Sequence, residues 1–543
     1  MDAEHAYLFR HALLRDAAYS LQLPSDRARL HALAFALIEA VIGGRPPALP
    51  PLRQFDSAEY APHPADPLAI ELAQHARLAG DAALQPATVL YLRRAAEHAE
   101  RNFYNSEAVS TWRELARALT SIERAAANCR AARVMHLSGG SLSAEGLVQE
   151  ALTDVLAEGD DAMIGRTLTQ QAGIERETGR TDAARQTYDR ALRHLGAGDD
   201  RRALAIAMVN SASLDHISGR STHAEEQLNR ALELLSELDP AAKCRALVNL
   251  ANVYGATGRV PEAEETYLRA LDMTAQFRDI RTRAIATGNL ATLRHATGRS
   301  DLARQDLLEV ITMARESGDR STEATALSSL GGIAKDQADF AAAELLFAQA
   351  VAIVREIHDR RTEGILTGQL ASLYRLTNRD ELSLTTFERA LALHRKVGNR
   401  PWIGRELGNL GNLYWQMGRL DDAEQSLHEA LAVLREVGSV SPQASTLGNL
   451  AALSHARGRL KVAREQFEQA ITLGERVQDR GLAALHRCQL ALVLMEAGNR
   501  AEAEKLWRTG MTAFADLPGD TRRQTALSHM HEICERLGEP PMP

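Results

Sequence analysis

The sequence predicts an all-α fold, a superhelical solenoid of antiparallel helical hairpins, and three observations predict it. The 543 residues are 45% apolar but only 4% aromatic, so the core must be built largely from Ala and Leu, which suits closely packed helices better than pleated sheets. The chain is longer than one hydrophobic core usually supports. It also repeats itself with a period near forty residues, and a repeat array can grow by addition where a single core cannot.

The period is carried first by a dipeptide: Gly179-Arg180, Gly219-Arg220, Gly258-Arg259, Gly298-Arg299, Gly418-Arg419 and Gly458-Arg459, with degenerate copies at Ala338-Asp339, Asn378-Arg379 and Gly498-Asn499. Eight residues before it stands Leu (Leu250, Leu290, Leu330, Leu370, Leu410, Leu450, Leu490), followed by a small residue such as Ala251, Gly331 or Gly411. Beyond it come Ala at plus five (Ala263, Ala343, Ala423) and a large apolar residue at plus nine (Tyr188, Leu228, Tyr267, Leu307, Phe347, Phe387, Leu427, Phe467, Trp507). Offsets of three and four place these on one stripe of a helix on either side of a glycine turn. Small residues at the crossing let two backbones approach, and the large side chain fills the space beside them. Nineteen residues before the dipeptide stand Asp239, Asp279, Asp319, Asp359, Asn399, Ser439 and Asp479, all able to cap the first turn of a helix. Pro240, Pro401 and Pro442 fall just inside the first helix and Pro261 just inside the second, where a missing N–H costs nothing.

These residues resemble the tetratricopeptide (TPR) repeat in its forty-residue form, like that of kinesin light chains. The copy from Leu407 to Ala430 carries it best, with Asn409-Leu410-Gly411-Asn412-Leu413-Tyr414, then Gly418-Arg419, Ala423 and Ala430. The resemblance implies a TPR superhelix whose first helices line a concave groove. Residues 158–517 read as nine such repeats and 68–157 as divergent helical repeats, with turns at Gly80, Asn102 and Gly139-Gly140. A final helix after Asp520, carrying Arg522, Arg523, Gln524 and His531, reads as a polar cap within 518–543, as an exposed solenoid end requires.

The head differs. Seven of seventeen prolines lie from Pro46 to Pro67, which reads as an irregular linker over 46–67 separating a helical segment at 1–45. That segment, with Phe9-Arg10-His11-Ala12-Leu13-Leu14-Arg15-Asp16-Ala17-Ala18-Tyr19 and Arg27-Ala28-Arg29-Leu30-His31, resembles the helical region that precedes the repeat array in bacterial STAND-type signalling ATPases. The chain has no Gly-x4-Gly-Lys-Ser/Thr phosphate loop, so this resemblance implies the sensory half of a split ATPase, kinase or cyclase regulator, with such an enzyme as partner.

Charge and chemistry narrow the function. The formal net charge is −8, without the basic excess of a nucleic-acid binder. An arginine-based nucleic-acid reader is the weakest alternative and would betray itself by steep salt dependence. Four scattered cysteines neither staple the fold nor match a metal site and point to a reducing compartment. With no basic-then-apolar leader and no run of eighteen apolar residues, the expectation is a cytoplasmic protein with no membrane partner. His529, His531 and Cys534 are close in sequence, but helical residues two apart diverge, so no metal is expected. No nucleophile and base stand in register. The protein is expected to be neither an enzyme nor a cofactor carrier.

What remains is a surface. Nine residues before the dipeptide runs an amide row: Gln170, Asn210, Asn249, Asn289, Ser329, Gln369, Asn409, Asn449, Gln489. Each amide both donates and accepts, so the row can grip the backbone of an extended peptide, as the matching Asn does in the resembling family, or bond the neighbouring helix and fix stacking. Three before the dipeptide runs Arg176, His216, Gly255, His295, Lys335, Arg375, Trp415, His455, Met495, flanking the same sector. The stretch from His295 to His455 is locally cationic with one aromatic. The expected partner is an acidic or C-terminal peptide, held by Lys335 and Arg375 with an apolar side chain against Trp415.

Overall fold

The computed structural model describes residues 19, 21–54, 61–102, 104–137, 140–235, 239–277, 280–515 and 521–542. Phe9 to Ala18, Gly139, Asp279 and Asp520 lie outside them. The described residues form 25 α-helices and no strand, in two compact units, 1–170 and 171–543.

In the first unit, Arg27 to His31 belong to the helix Pro24–Val41. The proline-rich stretch holds two short 3-10 turns and is tied down at two points. Leu52 is buried and its N–H donates to Glu123 at 2.8 Å. The Arg94 guanidinium meets Asp66 at 2.6 Å, both almost fully buried, and also donates to the Ala61 carbonyl. A paired and hydrogen-bonded charge of this kind is costly to break.

The second unit is built of hairpins such as Arg400–Gln416 with Leu420–Glu436. The turn works because the first dipeptide residue is left-handed (Gly418 φ 74°), which lets Arg419 N–H return to the Tyr414 carbonyl at 2.8 Å. Ala338 and Asn378 adopt the same conformation at φ 61° and 55°. Every member of the plus-nine row from Tyr188 to Trp507 is at most 3% exposed. A Cβ on Gly331 would stand 3.0 Å from the Phe347 ring, so the small residue and the large one are matched pieces of one contact.

Four of the anticipated caps form: Asp239, Asp319, Asp359 and Asp479 each accept the backbone N–H three residues on. Asn399 and Ser439 do not cap with their side chains. Asn399 is buried instead, with its amide 3.5 Å from His394. The recurring arginine of the turn has a separate role. Arg259, Arg379 and Arg419 lie over Tyr254, Tyr374 and Tyr414 at 4.2–4.5 Å. Arg259, Arg299, Arg379 and Arg459 pair with Glu225, Glu264, Glu344 and Glu424 of the preceding second helix.

First helices touch the first helix of the next hairpin more than second helices touch theirs, so first helices form the inner side of the curve. The unit coils back on itself: the Thr181 hydroxyl donates to the Val437 carbonyl, 256 residues away, and Glu177 pairs with Arg361. Gly179 faces Arg400 and Val437, and Gly219 faces Arg476 and Val477. At the far end the helix Thr521–Leu537 packs Ala526, Met530 and Ile533 against the last hairpin, leaving Arg523, Gln524 and His531 exposed.

Candidate functional site

The amide row lies on the inner helices, and every member from Gln170 to Gln489 is half-buried. Its members differ in what they hold. Asn249 donates to Ser213 at 3.1 Å, Asn289 to Asn252 at 3.3 Å, and Gln369 accepts from Ser328 at 2.5 Å, each across to the preceding first helix. Asn409 donates to Glu406 at 3.2 Å, and Gln489 bonds His486 at 3.0 Å, each within its own helix. Asn210 and Asn449 make no side-chain hydrogen bond among the described residues.

The second row is half-buried too, apart from buried Met495. His295 faces Asp336 at 3.0 Å and Ser300 at 2.9 Å, and Lys335 comes within 3.6 Å of the same Asp336. Arg375 reaches Gln416 at 3.4 Å, and burial lowers its pKa. His455 faces Glu496 at 3.2 Å, yet burial followed by repulsion from Arg536 and His529 holds it below the usual imidazole value. Trp415 packs, partly buried, against the hydrophobic cluster that includes Leu427, Leu447 and Leu450, and its indole N–H has no partner among the described residues. The line is thus less cationic than its residue types suggest, because a carboxylate one step further round the helix answers each of His295, Lys335 and His455.

Two features escape a reading of the rows. Ten residues before the dipeptide, Gly368, Gly408 and Gly448 face the next repeat. A Cβ on Gly368 would lie 2.7 Å from the Glu406 carboxyl carbon, and one on Gly448 the same distance from His486 Nδ1. Glu406 is 1% exposed; burial pushes it up to about 7, against the opposing pull of Asn409 and Arg405. Burial likewise lowers His486. The recurrence of Gly at an interior helical position, where it is unfavourable by about 0.5–1 kcal/mol relative to Ala, was the signal for this. The second feature is a cavity of about 530 Å³ on the inner face, to which Asn249 and Asn289 of the amide row and His216 and Gly255 of the second row all contribute. Its signal was Gly255, alone in its row in having no side chain.

Among the described residues no group of three metal-ligating side chains converges, and no helix is long and apolar enough to cross a membrane. The four cysteines are free and buried; burial pushes Cys129 up to about 11 and Cys488 to about 12, far from a reactive thiolate.

The sequence model of the family described as Tetratricopeptide repeat matches residues 163–237, 242–316, 281–356, 361–436 and 407–476, together more than half of the chain. These matches do not reach residues 1–45, and the expected resemblance of that segment to STAND-type proteins is not shown by them. No curated protein matches. Among solved structures, the chain is similar to a Rap protein complexed with Competence and Sporulation Factor (15% identity, TM-score 0.46, covering 66% of this chain and 99% of that one). It is also similar to BtubC (BKLC) from P. vanneervenii (20%, TM-score 0.36, covering 40% and 91%) and to the apo form of RapI (13%, TM-score 0.38, covering 50% and 97%). At these identities and scores the likenesses say nothing of function.

Proposed function

The chain belongs to the tetratricopeptide repeat family, a scaffold for protein–protein interaction, and from that premise we propose that it captures an extended peptide on the inner face of its second unit. The observation that carries this reading is the uneven use of the amide row. A row that served stacking alone would have every amide spent on a neighbour, whereas Asn210 and Asn449 keep donor and acceptor uncommitted while half-buried. Both amides are open to an incoming chain, and a peptide backbone offers each of them a donor and an acceptor.

The segment we propose is acidic or ends in a free carboxylate, met by Lys335 and Arg375, with an apolar side chain against Trp415. Arg375 makes its side-chain hydrogen bond to a neutral amide and feels Asp380 only through space, so its guanidinium can still take a bidentate acceptor. The protein itself is proposed to be non-catalytic and cytoplasmic.

The test separates the two roles of the row. Asn449→Ala together with Asn210→Ala should weaken capture of peptides from a displayed random library about tenfold or more with little change in melting temperature, since no intramolecular bond is lost. Asn249→Ala with Asn289→Ala should lower stability by about 1 kcal/mol per bond. Equal loss of stability in both pairs would assign the whole row to stacking. Charge reversal at Lys335 and Arg375 should abolish selection of acidic sequences, and unchanged selection would remove the polarity assignment.

A further inference from the structure

The cavity that both rows share is open to one side and is not filled from within. Its larger apolar lining comes from Ile217, Leu228, Tyr267, Val253 and Leu293. Its small walls come from Ala212, Gly255, Ala256 and Ala296, and its polar groups are Ser213, His216, Asn249, Asn252, Asn289 and Thr292. No Asp, Glu, Lys or Arg lines it. The one titratable group of the second row there, His216, has its pKa lowered by burial, so it stands uncharged at neutral pH. The polar groups are partly spent: the Asn252 carbonyl oxygen accepts from both Asn289 and the Tyr267 hydroxyl. That leaves the Asn252 N–H, the Asn249 and Asn289 oxygens and the enclosed His216 Nδ1, which has no partner.

Such a site penalises a charged occupant. A charge placed there would lose its hydration and find no counter-ion, and burial of an unpaired charge costs more than the surrounding dipoles return. An apolar body with a hydrogen-bonding edge meets neither penalty. The opening exists because Gly255 contributes no side chain at a point where the neighbouring repeats place His216 and His295. Nothing in the backbone demands glycine there: Gly255 is helical, and an added Cβ would make only ordinary contacts, at 3.7 Å to Leu293 and 4.0 Å to Ala263.

We infer that this cavity is a specificity pocket for one uncharged aromatic side chain of the bound segment, seated over Gly255 between the Asn249 and Asn289 amides. The inference rests on the peptide-capture reading and adds a second anchor to it, well separated along the array from Trp415 and opposite in character to the charged contact at Lys335 and Arg375. The segment recognised would therefore combine an uncharged aromatic at one end with acidic character at the other.

The experiment is panning of a random-sequence dodecapeptide library against the full chain and against Gly255→Phe, which fills the cavity from its own wall. Gly255→Phe should fold, since it replaces an interior helical glycine; Ala296→Phe, from an exposed position on the opposite wall, blocks the same space should the first variant melt early. Wild type should enrich sequences with an aromatic residue at a fixed distance from an acidic one. Both filled variants should lose the aromatic preference, keep the acidic one, and bind the selected peptides roughly tenfold to a hundredfold more weakly, as expected for an aromatic side chain left in water. Enrichment by wild type without an aromatic preference, or with one that survives filling, overturns the pocket and leaves peptide capture standing. Failure of wild type to enrich any sequence overturns peptide capture and the pocket with it.

Discussion

The stretch from Asn249 to Ala296 and the stretch from Gly368 to His486 follow the same forty-residue template, but the spaces their glycines leave are used differently. In the first, Gly255 omits a side chain three residues before the turn, and the space opens outward as an uncharged cavity. In the second, Gly368 and Gly448 omit one ten residues before the turn, and the next repeat fills the space with Glu406 and His486. The amides beside them are then committed, Asn409 to Glu406 and Gln489 to His486. Position on the helix does not decide the outcome alone, since Gly288 also stands ten residues before its turn and meets nothing within 4 Å; what the next repeat inserts decides it.

Three changes would break or sharpen that contrast. The largest effect is expected at Glu406. Its folded value of about 7 lies above the ordinary 4.5, so the folded chain holds a proton that the unfolded chain has released. Stability should be full below about pH 4.5, fall as pH rises towards 7, and remain reduced above it, by up to about 3 kcal/mol for a shift of this size. Glu406→Gln should flatten the stability profile over that window and raise the denaturation midpoint at pH 8, read by urea unfolding across pH. A wild-type profile already flat there would mean that the joint does not hold a proton.

Next comes Gly448→Ala, whose methyl requires the place of the His486 ring. We expect a loss of roughly 1–3 kcal/mol from overpacking, partly recovered in the double variant with His486→Ala. Equal losses in the single and double variants would separate the two residues. The smallest effect, and of opposite sign, belongs to Gly255→Ala: a gain of about 0.5–1 kcal/mol from helix propensity alone, measured as a raised midpoint. A loss there would show that the cavity wall is tighter than the geometry indicates.

The contrast also marks how far the sequence could be read. The hairpins, their turns and the buried plus-nine row were legible because each depends on spacing within one repeat, and the helical period fixes such spacing. Asn399 does not cap because its buried side chain turns its amide nitrogen to His394 on the helix before it, leaving the oxygen that would cap without a partner. The turn arginine marks the period in the sequence, but its pairing with a glutamate of the preceding repeat does not show there. Such exposed pairs are each worth at most about 1 kcal/mol, and they leave no mark on hydrophobic pattern. The carboxylates that face the cationic line, Asp336 and Glu496, leave no mark on it for a related reason, since they stand one position outside its spacing. The joints at Gly368 and Gly448 and the cavity at Gly255 arise where two repeats meet, and register within one repeat does not reveal what its neighbour inserts.

The contact of Gly179 with Val437, and of Thr181 with the carbonyl there, bears on how any guest gains access. Where successive windings of the coil touch, sideways approach is barred at those contacts, so a strand bound beside them is reached more readily lengthwise, from a free end. A tail would then have easier entry than a loop tethered at both ends by folded neighbours, and selectivity there would depend on how the guest is connected as well as on what it carries.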